Sequence, residues 1–222
     1  GDGSTTDRSN PVAVAGGNSF TSLAVSLRST CGVTAAGGVF CWGSMDQSVL
    51  GDGSYGTIKK APAAVNTGGV AFASVSIGTN VTCGITTSGT IYCWGSFTGD
   101  GTTGGSFPAS PFSTRPFPAA INDGRTYTSV SVGAQYACAV TNTNEVYCWG
   151  RQGSGQLGDG STTVQRTSPT RVASSQAFAS VSVGLTHACA LTVAGSSWCW
   201  GYNGDQSAGD STTTRQFRLS AT

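Results

Sequence analysis

Charged side chains are scarce in this sequence of 222 residues. Asp, Glu, Lys and Arg together make up 9% of it, and the formal net charge at pH 7 is +1. The scarcity leaves no basic stripe that would attract nucleic acid or an anionic membrane. No apolar run approaches the roughly 20 residues that a membrane-spanning helix needs. We therefore expect neither a nucleic-acid partner nor insertion into a membrane.

Candidate catalytic and metal-binding side chains are equally scarce. His187 is the single histidine, and it takes the repeat position held elsewhere by Ser29, Val81 and Tyr136, which favours a structural role. The sequence thus predicts neither a catalytic triad nor a histidine metal cluster. A calcium site needs about six to eight oxygen ligands, and an isolated turn offers one carboxylate. We expect no enzyme activity and no cofactor, and a turn-stabilising role for the five turn aspartates: Asp2, Asp52, Asp100, Asp159 and Asp210.

The feature that is abundant is a repeated cysteine segment ending in Cys-Trp-Gly. Four copies each hold two cysteines ten positions apart, with an aromatic residue before the second. The predicted pairs are Cys31 with Cys41, Cys83 with Cys93, Cys138 with Cys148, and Cys189 with Cys199. A zinc site is the competing interpretation, but zinc modules use closely spaced cysteine pairs. We expect four disulfides and an extracellular, secreted or cell-surface, location.

Each cysteine pair fits an antiparallel hairpin. If Cys31 lies opposite Cys41, the connecting loop is Ala35-Ala36-Gly37. The corresponding loops of the other copies end in Gly89, Asn144 and Gly195. A three-residue loop of this kind needs a left-handed residue at its third position, which Gly and Asn adopt readily. The register and the turn chemistry therefore agree.

Two further elements accompany every hairpin. A Gly-Asp turn recurs, and an alternating segment such as Phe72 to Gly78 precedes each cysteine pair. The unit of about 50 residues suits four short strands, which is the size of a propeller blade. We expect an all-β β-propeller in one domain, 1–222. Its repeats are approximately 1–50, 51–98, 99–157 and 158–208, and a partial repeat covers 209–222.

The repeats resemble a known family. Cys148-Trp149-Gly150, Gly155 to Gly160, Phe178 to Gly184 and His187 to Thr192 together resemble the regulator of chromosome condensation repeat. The resemblance covers nearly the whole chain and implies a β-propeller, commonly of seven blades. The cysteines make the chain similar to extracellular relatives, such as crinkly-type receptor kinase ectodomains and secreted bacterial propellers. Four repeats imply either a four-bladed ring or an arc of a larger propeller.

The ends of the chain carry one strand too many for four blades. In this family the outermost strand follows the Gly-Asp turn, so Val12 to Val14 and Gln216 to Leu219 compete for one edge in a closed ring. A surplus strand is able to pair with another molecule. This makes partner-contact candidates of four residues: Val12, Val14, Phe217 and Leu219.

A Phe- and Pro-rich insertion near the start of the third repeat is the other irregularity. Phe107, Phe112 and Phe117 are candidate partner contacts on it, and the alternative is that the loop buries them against a blade edge. Asn80-Val81-Thr82 is an N-glycosylation sequon, and the Thr clusters are candidates for O-glycans.

The sequence as a whole favours a secreted, non-enzymatic structural propeller that self-associates head to tail into a fibre or array. The alternative is a fragment of a ligand-binding propeller, either a receptor ectodomain or a protein inhibitor. The partner is accordingly a second copy or another extracellular protein.

Overall fold

Short antiparallel sheets account for all regular structure in the described residues. The computed structural model describes residues 1–44, 50–54, 56–101, 114–161, 163–204 and 217–218. They form four sheets of four strands each. The strands are β1 Phe20–Val25, β2 Ser29–Thr34, β3 Val39–Ser44, β4 Ile58–Ala64, β5 Phe72–Ile77, β6 Val81–Thr86, β7 Ile91–Ser96, β8 Thr114–Ala120, β9 Tyr127–Val132, β10 Tyr136–Thr141, β11 Val146–Arg151, β12 Gln165–Arg171, β13 Phe178–Val183, β14 His187–Thr192, β15 Ser197–Tyr202 and β16 Phe217–Arg218.

Sequence order and strand order coincide within every sheet. Sheet 1 holds β1 to β4, sheet 2 β5 to β8, sheet 3 β9 to β12 and sheet 4 β13 to β16. Each is a meander, so the first and third connections lie at one end of the sheet and the second at the other. We call these ends the loop face and the hairpin face. No helix among the described residues is long and apolar enough to cross a membrane.

The predicted hairpin register is confirmed in all four sheets. Cys31 pairs with Cys41 in the strand register, and the other three cysteine pairs do the same. All four predicted disulfides are formed. The third loop residues have the left-handed φ that the sequence predicts, at 81°, 84°, 63° and 89° for Gly37, Gly89, Asn144 and Gly195.

The core lies between successive sheets. Cys31, Val33 and Val39 of sheet 1 are buried in one cluster with Phe72 and Trp94 of sheet 2. Equivalent clusters join sheet 2 to sheet 3 and sheet 3 to sheet 4. An inner sheet therefore buries both of its faces, as expected for propeller blades stacked around an axis.

The innermost strands approach closely near that axis. A Cβ added to Gly78 would lie 1.7 Å from the carbonyl oxygen of Gly133, so only glycine fits there. The Val132 N–H donates to Ser76 Oγ at 3.1 Å, and the Val183 N–H donates to Ser131 Oγ at 3.1 Å. These bonds between sheets fix how each blade is placed on the next.

The two terminal sheets each leave one face open, so the described residues form an arc and not a closed ring. Leu23 of sheet 1 is 60% exposed, whereas Val75, its equivalent in sheet 2, is 6% exposed. At the other end Leu191 is 48% exposed, whereas its equivalent Val33 is 1% exposed. Of the two architectures that the sequence left open, the arc is the one observed.

Candidate functional site

The Gly-Asp turns connect neighbouring blades. Gly51 lies against the indole of Trp94, and Gly158 lies against that of Trp200 in the same way. Within the turn, Asp159 accepts hydrogen bonds from the Ser161 N–H at 3.0 Å and Ser161 Oγ at 2.9 Å. Every described turn aspartate also pairs with a cation: Asp2 with Arg8, Asp52 with Lys59, Asp100 with Arg115, and Asp159 with Arg166.

These pairings set the protonation state of the turns. Burial alone would raise the pKa of Asp159, but hydrogen bonds from Ser161 and Arg166 outweigh it and lower that pKa. The balance at Asp52 is the same, with Lys59 and Ser54 as the donors. The described residues contain no group of three or more His, Cys, Asp or Glu side chains that would hold a metal ion. The carboxylates therefore act as anionic acceptors within the turns.

The N-terminal segment repeats this turn without a sheet of its own. Gly1 lies against Trp42, and the Gly3 N–H donates to the Lys60 carbonyl at 3.0 Å. In the next repeat the Gly53 N–H donates to the Pro116 carbonyl at 3.2 Å. Residues 1–15 thus occupy the place that the outer strand of a preceding blade would take.

The backbone of this segment also follows the outer strands. The Ala15 N–H donates to the Gly1 carbonyl at 2.9 Å, as the Ala173 N–H donates to the Gly158 carbonyl at 2.7 Å. One position earlier, the Val172 N–H reaches the Val146 carbonyl of the third strand at 2.9 Å. Val172 is 2% exposed, whereas Val14, its counterpart, is 43% exposed. Val14 therefore stands at a strand position without a third strand beside it in the described residues.

The structure separates the two predicted surplus strands. Phe217 and Arg218 pair with Tyr202 and Gly201 at the outer edge of β15, so the C-terminal strand joins sheet 4. The N-terminal segment is the surplus one. It is not a strand in the described structure, and its predicted contacts Val12 and Val14 are 49% and 43% exposed. Leu219 lies outside the described residues.

The predicted Phe contacts are described in part. Phe117 lies in β8 and is 45% exposed, and its ring packs on the turn glycine Gly53. It therefore covers a neighbouring turn while presenting the rest of the ring to solvent. Phe107 and Phe112 lie outside the described residues.

Asn80 and His187 both lie at the loop face. The Asn80 N–H donates to the Ala134 carbonyl at 3.0 Å, and its side chain is half-buried beside the buried Thr82. The His187 carbonyl accepts hydrogen bonds from Tyr136 Oη at 2.6 Å and from the Gly184 N–H at 2.9 Å. The backbone of both residues thus takes part in holding adjacent blades together.

The sequence did not single out the exposed side chains of the loop face. Leu27 and Leu185 are 81% and 71% exposed and occupy the same repeat position. Arg28 and Arg151 are exposed beside them. Comparing the four repeats position by position would have found the two leucines, because the other two repeats have Thr79 and Ala134 at that position.

Comparison with protein families agrees with this geometry. A model of the regulator of chromosome condensation (RCC1) repeat matches residues 72–100, 127–156 and 178–206, and a second model of the same repeat matches 143–191. Each match contains a cysteine hairpin or the strands next to it. The chain belongs to the RCC1 repeat family.

Individual relatives match over much of this RCC1-repeat chain. The human E3 ubiquitin-protein ligase HERC2 is 31% identical over 165 residues, which are 73% of this chain and 3% of that protein. The mitochondrial RCC1 domain-containing protein RUG3 of Arabidopsis thaliana is 27% identical over 194 residues, which are 82% of this chain and 42% of that protein. The chain therefore spans less than half the length of either relative.

Solved structures show the same fold. Human WBSCR16 superposes with a TM-score of 0.77 at 17% identity, covering 93% of this chain and 53% of that one. Yeast RCC1 (Prp20), in a complex with Kap60, also gives a TM-score of 0.77 at 17% identity, with 95% of this chain and 50% of that one covered. The four blades thus correspond to about half of an RCC1 propeller.

Proposed function

We propose that this RCC1-repeat arc is a non-enzymatic protein-interaction module that associates head to tail with a second copy of itself outside the cell. The observation that carries the proposal is the N-terminal segment, which lies where an outer strand would be. Residues 1–15 are held on sheet 1 by the same turn contacts as the other outer strands, yet Val14 has no third strand beside it among the described residues.

The opposite end of the arc offers the complementary surface. Three of the disulfides have both cysteines fully buried, but Cys189 and Cys199 are only half-buried on the open face of sheet 4. Ser182 is exposed there. Its equivalents in sheets 2 and 3, Ser76 and Ser131, each accept a hydrogen bond from a backbone N–H of the next sheet. A second copy would bring to this face the strands of its own sheet 1.

The association has a direction, because the two open faces differ. Leu23 and Val25 mark the face of sheet 1, and Leu191 marks the face of sheet 4. Contact between unlike faces repeats until it closes into a ring or extends as a filament. The N-terminal segment of the second copy would then compete with Phe217 and Arg218 for the outer edge of β15. At that edge Phe217 and Arg218 pair with Tyr202 and Gly201.

Sedimentation velocity over a range of concentrations tests the proposal. We expect the intact chain to assemble, and Leu23→Asp and Leu191→Asp each to abolish filaments and rings. Val164→Asp is the matched control, because Val164 is 70% exposed and belongs to neither blade face. A wild-type chain that stays monomeric at millimolar concentration would refute self-association.

Mixing the two variants gives the sharper result. Leu23→Asp keeps the face of sheet 4 intact, and Leu191→Asp keeps the face of sheet 1 intact. An equimolar mixture should therefore form a heterodimer and stop there. Assembly through like faces would instead let a variant form homodimers through its intact face without the other variant, which would overturn the head-to-tail arrangement.

The extracellular location is part of the proposal and is supported by the four disulfides. Mass spectrometry of alkylated protein from its native source tests it: all eight cysteines should be protected from alkylation until a reductant is added. A population with free thiols throughout would contradict it.

A second candidate is that further blades of a longer polypeptide cover the open faces, giving a ligand-binding propeller. The coverage of about half of each RCC1 propeller favours it. In that case the isolated chain remains monomeric, and adding the missing blades to the chain raises its stability.

A further inference from the structure

We propose that the hairpin face of sheet 3 binds a neutral sugar ring. A polar cavity of about 260 Å³ lies there, and charged, amide and hydroxyl side chains line it. The cavity is at the end of an inner blade and not on an open blade face. The inference is therefore independent of head-to-tail association.

The cavity lies between two connections of sheet 3. The link from β8 to β9 contributes Arg125 and Thr126, and the hairpin loop between β10 and β11 contributes Asn142 and Thr143. The Asn142 N–H donates to the Thr126 carbonyl at 2.9 Å, which joins the two connections. The disulfide of this hairpin, Cys138–Cys148, fixes its two strands. The walls are thus held in place without a ligand, which lowers the entropic cost of binding.

Arg125 forms one wall and is fixed from two sides. Its backbone N–H donates to Asp123 Oδ1 at 3.0 Å, and its Nη1 donates to Asp123 Oδ2 at 2.9 Å. Tyr127 Oη donates to the same Oδ2 at 2.5 Å. The Arg125 guanidinium also lies over the ring of Tyr147, at 4.0 Å from its centroid. The donors of Arg125 therefore have a defined orientation beside the cavity.

Glu145 forms part of the opposite wall. Its Oε1 accepts from Arg171 Nε at 2.8 Å, and its Oε2 accepts from Tyr147 Oη at 3.3 Å. Asp123 pairs with Arg125 in the same way. Two anionic and two cationic side chains therefore alternate along the cluster, which carries no net charge.

The fold does not require this cluster. The positions of Asp123, Arg125 and Glu145 are uncharged in the other three repeats: Gly16, Asn18 and Gly38; Gly68, Val70 and Thr90; Ser174, Gln176 and Ser196. Those repeats form the same hairpin. Exposed ion pairs add little to stability. In a chain with 9% charged residues, four charges at one hairpin indicate a role other than folding.

The lining fits the hydroxyl groups of a sugar. Arg125 only donates hydrogen bonds and the Glu145 carboxylate only accepts them, whereas Asn142 and Thr143 do both. Sugar hydroxyls also donate and accept, and they carry no charge. None of the described residues that line the cavity has a large apolar side chain, so no anchor for an apolar peptide is present among them. The volume lies below the roughly 300–1,000 Å³ of pockets for drug-sized ligands, which suits a single ring.

The test uses the methyl glycosides of glucose, galactose and mannose as neutral probes, and methyl glucuronide as the anionic counterpart of the glucoside. Their binding is followed by amide chemical shifts in ¹⁵N-labelled protein. We expect at least one neutral glycoside to bind with a Kd of about 1–10 mM, because a small ligand on an open surface gains few net hydrogen bonds. Its shifts should cluster at residues 123–126 and 141–145. The glucuronide should bind no more tightly than the glucoside, because the cluster has no net charge.

Replacing the cluster by the residues of repeat 2 gives the decisive variant. It combines five substitutions: Asp123→Gly, Arg125→Val, Tyr127→Phe, Glu145→Thr and Arg171→Ala. Sheet 2 forms the same hairpin with these residues, so cooperative thermal unfolding should be retained while binding is lost.

Single substitutions locate the contact. Arg125→Gln should weaken binding by about fivefold or more, since it removes charge-assisted donors. Arg151→Gln is the matched control, because Arg151 is an exposed arginine at the loop face whose Nη1 donates to Gln135 Oε1 at 3.3 Å. The control should bind as the wild type does.

Four results would overturn the inference. The first is the absence of shifts with all three neutral glycosides at about ten times the expected Kd. The second is tighter binding of the glucuronide than of the glucoside, which would make the cavity an anion site. The others are unchanged binding by the folded five-residue variant and an equal loss of binding in the Arg151→Gln control.

Discussion

Gly158 combines a left-handed backbone with a contact that leaves no room for a side chain. Its φ is 65°, and an added Cβ would lie 2.7 Å from Cδ1 of the buried Trp200. Gly160 in the same turn has a φ of 77°, but its added Cβ would meet Ala173 at 3.7 Å, an ordinary contact. Substitutions at the two positions therefore distinguish the cost of a left-handed backbone from the cost of steric overlap with Trp200.

We expect Gly160→Ala to lower the free energy of unfolding by about 1–2 kcal/mol, the usual cost of a left-handed alanine. Gly158→Ala should cost about 1–3 kcal/mol more, because the indole has to move. Urea denaturation of both variants measures the difference. Equal losses would mean that Trp200 does not need the close approach of the turn.

Asp159 gives a prediction that depends on pH. Its side chain bonds to Ser161 and Arg166, and its pKa lies below the ordinary 3.8 because these bonds outweigh burial. A carboxylate with a lowered folded-state pKa stabilises the fold above its unfolded pKa, and the contribution disappears as the pH falls through the folded value.

Asp159→Asn should therefore reduce the free energy of unfolding by about 1.5–3 kcal/mol at pH 7, the usual range for hydrogen bonds to a charged group. The wild-type and variant stabilities should converge below about pH 4. Asp7→Asn is the control, since Asp7 is exposed and outside the recurring contacts of the turn. A difference that persists undiminished at low pH would assign the effect to packing instead of charge.

The disulfide of each hairpin reports whether a neighbouring blade covers it. Both cysteines of the first three disulfides are 0% exposed, whereas Cys189 and Cys199 are half-buried because no blade covers them in the described structure. A phosphine reductant under native conditions should therefore open Cys189–Cys199 first. Alkylation followed by peptide mass spectrometry identifies the bond, and simultaneous loss of all four would contradict the prediction.

These elements also show how far the sequence reaches. The ten-residue cysteine spacing and the Gly or Asn at each loop end determine the hairpin register, because strand pairing and turn type are local properties. The position of residues 1–15 is harder to predict. Their turn sequence is the same as in the other repeats, and only the structure shows that no third strand of a blade lies beside them in the described residues. Leu27 and Arg28 carry no motif, so their joint exposure depends on how separate blades are placed.

At the scale of the whole molecule, the arc behaves as a short linear array. Each inner sheet has two interfaces, and each terminal sheet has one, so stability in such arrays falls toward the ends. The inter-sheet bonds from Val132 to Ser76 and from Val183 to Ser131 are examples of the contacts that the open faces lack. Local unfolding should therefore begin at sheets 1 and 4.

Hydrogen exchange tests this at a concentration too low for self-association. Amides of β6 and β10 should exchange more slowly than those of β2 and β14, although all four strands share the same position in their sheets. At high concentration, head-to-tail contact should bring the protection of β2 and β14 toward that of the inner strands, because every sheet then has two neighbours. Equal protection of the four strands at low concentration would show that the arc unfolds as a single unit. A gradient that does not change with concentration would indicate that the open faces remain uncovered in solution, which is the result expected if blades of a longer polypeptide are their natural neighbours.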